Sequence, residues 1–249
     1  MKAAILTDTT KCIGCNECAI ACQRVNHLEP DVARRWDLDD GLSARNWTSV
    51  VAGPKGSFVR KQCRHCLQPA CVSACPVGAL SKTALGAVIY DNEKCMGCRY
   101  CMMACPYGIP RYDWDRTVPY IRKCILCFDR LRSGRPPACT EACPAKATIF
   151  GDRDRLLLEA HRRIRENPGA YLDTVWGEHE IGGASVLYIS NVDLSFLTRG
   201  RRLGGTPVPE HTATAMHAVP FVFSGVVAAM AGLNWVLARR MKREAEEHD

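Results

Sequence analysis

Short apolar runs, each closed by a polar or glycine-bearing loop, set the pattern of the first 150 residues. Residues 2–7 (KAAILT) predict a brief strand running into a polar loop. Residues 47–51 (WTSVV) and 57–60 (SFVR) flank Gly53-Pro54-Lys55-Gly56 and predict a hairpin. It lies in an insert from about residue 27 to 60, expected to cover the core. Residues 87–90 (AVIY) and 147–150 (ATIF) read as further short strands. The period then changes. Leu156, Leu157, Ala160 and Ile164 recur at helical spacing, so 152–166 predicts an amphipathic helix ended by Asn167-Pro168-Gly169, with His161 at the surface. Residues 182–190 (GGASVLYIS) predict another strand. Residues 198–211, rich in Gly, Pro and Arg, predict an exposed linker or docking arm.

The last pattern is of another kind. Residues 212–238 carry no formal charge and are mostly apolar from 218 on, and about 20 such residues span a bilayer as a helix. Gly225, Ala228, Ala229 and Gly232 fall near one face, suited to packing on another membrane helix. Trp235 suits the far interface, and Arg239, Arg240, Lys242 and Arg243 follow it. That basic tail predicts a cytoplasmic C-terminus and places the rest of the chain on the outer, periplasmic face; Arg199, Arg201 and Arg202 lie farther from the span. His217 reads first as an interfacial polar residue, and second as a group near a quinone or haem of a partner. Residues 1–10 show neither a twin arginine nor an apolar stretch, so export is expected beside a signal-bearing partner.

The chemistry lies in the loops. All 16 cysteines fall into four groups before residue 144. These are Cys12-x2-Cys15-x2-Cys18-x3-Cys22, Cys63-x2-Cys66-x4-Cys71-x3-Cys75, Cys95-x2-Cys98-x2-Cys101-x3-Cys105 and Cys124-x2-Cys127-x11-Cys139-x3-Cys143. Proline follows the last three as Pro76, Pro106 and Pro144. A C-x2-C-x2-C-x3-C-P run binds iron–sulfur cubanes, its fourth cysteine ligating the neighbouring cluster. Disulfides suit repeated C-x2-C pairs poorly. Zinc is the stronger rival, but it seldom shows a third cysteine at x2, a fourth at x3 and then proline. Four [4Fe–4S] clusters are expected. Cysteines at i and i+4, as at 18 and 22 or 101 and 105, let a short helix aim its last thiol away from its own cluster, and proline stops the turn.

Groups two and three are spaced as one two-cluster module, and groups one and four close another around it. The expected ligand sets are Cys12, Cys15, Cys18 and Cys143; Cys124, Cys127, Cys139 and Cys22; Cys63, Cys66, Cys71 and Cys105; and Cys95, Cys98, Cys101 and Cys75. No C-x2-C-H haem motif, dinucleotide loop or nucleophile–base pair stands out, and no catalytic residue is expected. The formal charge of +7 invites a nucleic-acid partner. Sixteen thiolates and four oxidised cores, each about +2, bring it to about −1, which removes that reading.

The segments 12–22, 95–111 and 123–144 resemble the four-cluster β subunits of dimethyl-sulfoxide-reductase-type respiratory complexes. The stretches 43–48 (SARNWT) and 176–190, with the apolar tail, narrow the likeness to the β subunit of formate dehydrogenase-N and the HybA-type subunit of uptake hydrogenases. The resemblance implies the same cluster pairing, a catalytic partner subunit and a polytopic quinone-binding membrane subunit, with or without haem b. Some relatives replace a fourth-group cysteine and carry a three-iron cluster; here all four positions are Cys.

The expected fold is α+β: two interleaved bacterial-ferredoxin-like two-cluster modules with an inserted hairpin, plus one C-terminal transmembrane helix. The four-cluster domain would span 1–150, with an inner module at 62–110 and an outer one formed by 1–26 and 120–150. A helix–strand extension and linker (151–211), a bilayer anchor (212–240) and a cytoplasmic tail (241–249) would follow. The expected function is electron transfer between a catalytic subunit and the quinone-reactive one. A stand-alone polyferredoxin and a zinc-binding structural anchor are the rivals.

Overall fold

The structure is a computed structural model and describes residues 2–30, 40–115, 117, 120–198 and 203–246. In chain order its elements are β1 (Ala3–Asp8), α1 (Glu17–Val25), β2 (Thr48–Ala52), β3 (Phe58–Gln62), α2 (Ala70–Ser73), β4 (Leu80–Lys82), β5 (Val88–Tyr90), α3 (Tyr100–Ala104), β6 (Arg111–Tyr112), β7 (Ile121–Arg122), α4 (Phe128–Arg132), α5 (Ala138–Glu141), β8 (Thr148–Asp152), α6 (Arg153–Glu166), β9 (Val186–Ile189) and α7 (Glu210–Glu246). Residues 1–208 make one compact unit and 209–249 a second.

Strand β1 is the centre of the first unit. All six of its residues are buried, because it lies between β8, to which it is antiparallel, and β9, to which it is parallel. Its two faces serve different cores. Ala3 and Ile5 pack with Val186 and Tyr188 of β9, while Ala4 and Leu6 meet Leu156 and Ala160 of α6. A strand covered on both sides reads as a continuous apolar run, as AAIL does. Asp152 caps α6 by accepting from the Asp154 amide at 3.2 Å, which fixes where the sheet ends and the helix begins. His161 on this helix is half-exposed, with Nε2 3.0 Å from Glu178.

The hairpin forms as the pattern predicts: β2 and β3 pair with Val51 opposite Val59, and the Gly53 amide donates to the Ser57 carbonyl at 2.7 Å. Asp40 ties it to β6. Its carboxylate accepts from Lys61 of β3 at 2.8 Å and from Arg111 at 2.6 Å.

Two expectations change. The strand predicted over 182–190 begins only at Val186. Before it, Ile181, Gly182 and Gly183 all have positive φ, and a Cβ at Gly183 would meet the Glu178 carbonyl at 2.7 Å, so the glycine pair makes a tight turn instead. The described end of the 198–211 arm is not free either. The carbonyls of Gly204 and Gly205 accept from the amides of Ile181 and Gly182, and Leu203 joins the apolar cluster around Tyr107. Arg199, Arg201 and Arg202 lie outside the described residues.

In the second unit, α7 is long and apolar enough to cross a membrane, with a mean hydropathy of 1.8 over its most apolar stretch. Pro220 sits inside it and removes one backbone donor, a substitution that membrane helices tolerate. The Arg239 guanidinium stands 5.4 Å over the Trp235 ring.

Candidate metal centres

The short helices α1, α2, α3 and α5 sort the cysteines. Each holds the third cysteine of its group and sends the fourth, one turn further on, to a different set. Cys12, Cys15 and Cys18 therefore line a cavity with Cys143, from the far end of the cysteine region. Cys124, Cys127 and Cys139 line another with Cys22. Cys95, Cys98 and Cys101 do so with Cys75. Cys66 and Cys71 have Cys63 and Cys105 as their electrostatic neighbours. Pro76, Pro106 and Pro144 follow directly on three of the crossing thiols. The first group has Gln23 there instead, and α1 runs on to Val25.

The loops repeat one backbone turn. The residue before the second cysteine of each group has positive φ: Gly14 (73°), His65 (49°), Gly97 (75°) and Leu126 (57°). So does the residue three past the last cysteine of groups two to four: Gly78 (63°), Gly108 (59°) and Lys146 (47°). Left-handed residues beside right-handed ones aim successive N–H groups inward, making a concavity for a negatively charged group. The amides of Ala79, Ile109 and Leu126 accordingly lie 3.2, 3.5 and 3.4 Å from the sulfurs of Cys75, Cys105 and Cys124. Among the described residues, no three His, Cys, Asp or Glu side chains converge enough to grip a single ion.

Residues 54–153 match the model of the 4Fe-4S dicluster domain family. Over 98% of its length the chain is 43% identical to a protein of Nitratidesulfovibrio vulgaris, 69% of which it covers. It is 35% identical to the hydrogenase-2 operon protein HybA of Escherichia coli O157:H7, over 98% of this chain and 86% of that one. The chain belongs to the iron–sulfur subunits of respiratory oxidoreductases. Another member, the nitrate-inducible formate dehydrogenase iron–sulfur subunit of Escherichia coli K12, is 32% identical over 93% of this chain and 83% of its own.

For an iron–sulfur subunit the electrostatics of the thiols are informative. Burial pushes Cys22 and Cys71 up to about 12, and Cys18 and Cys101 to about 11, with neighbouring thiols raising them further. Thiolates in these sites need compensating positive charge, which bound iron would supply. The fold adds buried cations of its own. Arg60 is 2% exposed and Lys123 3%. Lys123 donates to the carbonyls of Val88 and Cys124, and Lys82 to those of His65 and Gly86. Burial lowers Lys82 to about 8. The sequence marks none of these three individually, although part of its Lys/Arg excess is expected to balance cluster charge. The signal available was their place inside or beside the cysteine groups, in a chain whose charge excess needed a use. His65, fully buried, is a further miss: its Nδ1 accepts from the Val88 amide at 2.9 Å. A cavity of about 400 Å³ between Arg64, Tyr107, Trp176 and Glu180 is lined by no cysteine.

Proposed function

We propose that this chain is the non-catalytic relay of a membrane-bound oxidoreductase. It carries electrons between a catalytic subunit, a hydrogenase or a molybdenum or tungsten enzyme, and a quinone-reactive membrane subunit. Four [4Fe–4S] clusters would supply one-electron chemistry, one per set: Cys12/Cys15/Cys18/Cys143, Cys22/Cys124/Cys127/Cys139, Cys63/Cys66/Cys71/Cys105 and Cys75/Cys95/Cys98/Cys101. Two interleaved modules follow from this reading, the inner at 62–110 and the outer built from 1–26 and 120–150. The observation that carries it is the grouping of the thiols: four sets of four, each completed by a cysteine from another motif.

The protein's own part is to hold these groups and set their environment. Inward N–H groups and buried cations favour negative charge at these sites, whose thiols, Cys15 apart, are buried or half-buried. Residues 212–240 anchor the relay in the bilayer. The arginine-rich end of α7 supports a cytoplasmic C-terminus, with the clusters on the periplasmic face and residues 241–249 as the cytoplasmic tail.

Anaerobic purification in mild detergent tests the proposal. About sixteen iron atoms per chain, absorption in the brown cluster region and a co-purifying catalytic subunit are expected. About four zinc ions and no iron would overturn it in favour of a structural anchor. Full iron with no partner, and release from membranes by carbonate, would favour a free polyferredoxin.

A further inference from the structure

Arg60 stands in β3, opposite Val50 of the hairpin, and is among the largest fully buried side chains. Its guanidinium is always charged. Nε and Nη1 have no hydrogen-bond partner, Nη2 donates to Thr7 Oγ1 at 3.5 Å, and the Cys139 sulfur is a further hydrogen-bond partner of the side chain. A buried cation in that state is strongly unfavourable unless a negative group faces it. Among the described residues no carboxylate pairs with it. The group lines the cavity of Cys12, Cys15, Cys18 and Cys143, and the thiols acting on it most strongly are Cys139 and Cys18. Those two cysteines belong to different sets. Arg60 therefore stands between the two outer sites, with unused donors in a cavity whose other polar lining is mostly sulfur.

Neutral thiols cannot balance a guanidinium, but two four-thiolate clusters can, since each carries about two negative charges when oxidised. We propose that Arg60 is the shared counter-charge of the two outer clusters, a positioning residue that raises the reduction potential of both. This rests on the cluster assignment of the preceding section. Reduction adds an electron to each cluster, and a fixed positive charge between them favours the reduced form of either one. The inner sites have Lys82 and Lys123 nearby and serve as the internal control.

The test is an EPR-monitored redox titration of the purified complex carrying Arg60→Lys, Arg60→Gln or Arg60→Met, with iron content measured first. Wild-type iron content of about sixteen checks the cluster assignment separately; if it fails, the assignment fails before Arg60 is at issue. The Lys variant should titrate like wild type. The Gln and Met variants should show a roughly tenfold weaker reduction constant at two clusters, about 59 mV lower for a one-electron couple, with the other two unmoved. Loss of the outer pair's iron in the neutral variants while Lys keeps it carries the same meaning. A neutral variant holding all four clusters at unchanged potentials would overturn the proposal. So would a Lys variant that behaves like the neutral ones.

Discussion

Gly97 offers a sharp test of the left-handed turn that recurs through the cysteine loops. Its φ is +75°, and a Cβ there would come within 2.8 Å of the Tyr112 hydroxyl, which itself donates to the Gly97 carbonyl at 3.2 Å. Gly97→Ala therefore does two things. It places an L-residue in the left-handed region, costing about 1–2 kcal/mol. It also pushes the phenol away, losing a hydrogen bond worth about 0.5–1.5 kcal/mol. Tyr112 cannot swing aside cheaply, since its ring packs edge-on against Trp114 at 4.7 Å and lies under Arg99. Gly78→Ala is the control. It has the same kind of backbone, with φ +63°, but open space where the methyl would go, so only the conformational cost applies. Thermal unfolding of loaded protein at one scan rate should rank wild type above G78A above G97A. The gap between the variants should be about 2–4 °C for each kcal/mol in a unit of this size. Cluster absorbance followed in the same scan should fade earliest in G97A. Equal midpoints for G97A and G78A would show that Tyr112 yields freely, and wild-type midpoints for both would remove the argument that the turn demands glycine.

Cys143→Ser should disturb the EPR signal of the cluster assigned to Cys12, Cys15 and Cys18 and leave the inner pair intact, whereas Cys75→Ser should strike the cluster of Cys95, Cys98 and Cys101; the reverse pattern would refute the pairing. Asp40→Asn leaves Lys61 and Arg111 buried beside each other without their anion, and should cost about 3–5 kcal/mol in denaturant unfolding at neutral pH. The two cations hold the Asp40 carboxyl below its ordinary range, so its contribution is present above about pH 3.9 and is lost as pH falls through the lower folded value. Wild-type and D40N stabilities should therefore converge in acid, and parallel curves would refute that origin. Truncation after Val208 should release the chain from carbonate-washed membranes with its iron content unchanged, and retention on the membrane would assign the anchoring to something other than α7.

Much of this was written locally. β1, the hairpin, α6 and the apolar tail follow from runs and periods of a few residues, and the cysteine spacing points to the chemistry because coordination geometry is itself local. What escaped depends on distant neighbours. Val59 and Arg60 are adjacent in a strand, and alternation would expose one of them, yet both are buried because both faces of the hairpin are covered. Lys82 and Lys123 look like surface residues until β5 and the cysteine loops close over them. The Gly182–Gly183 turn hides inside a run whose β-branched and aromatic content argues for strand. The carbonyls of Gly204 and Gly205, some twenty residues away, help to fix its position.

The pairing of β1 sets a timetable for biosynthesis. Ala3–Asp8 is made well before the neighbours it pairs with, Thr148–Asp152 and Val186–Ile189. At about 5–20 residues per second the ribosome needs roughly 9–36 s to complete that sheet, and the opening strand waits with its amides and Ile5 and Leu6 bare. Residues 62–110, the proposed inner module, are complete in sequence long before then. On the proposed assignment, the inner pair of sites would have all its cysteines while the outer pair still lacked Cys139 and Cys143. A chaperone that shields an early apolar segment would find its natural client in residues 3–8.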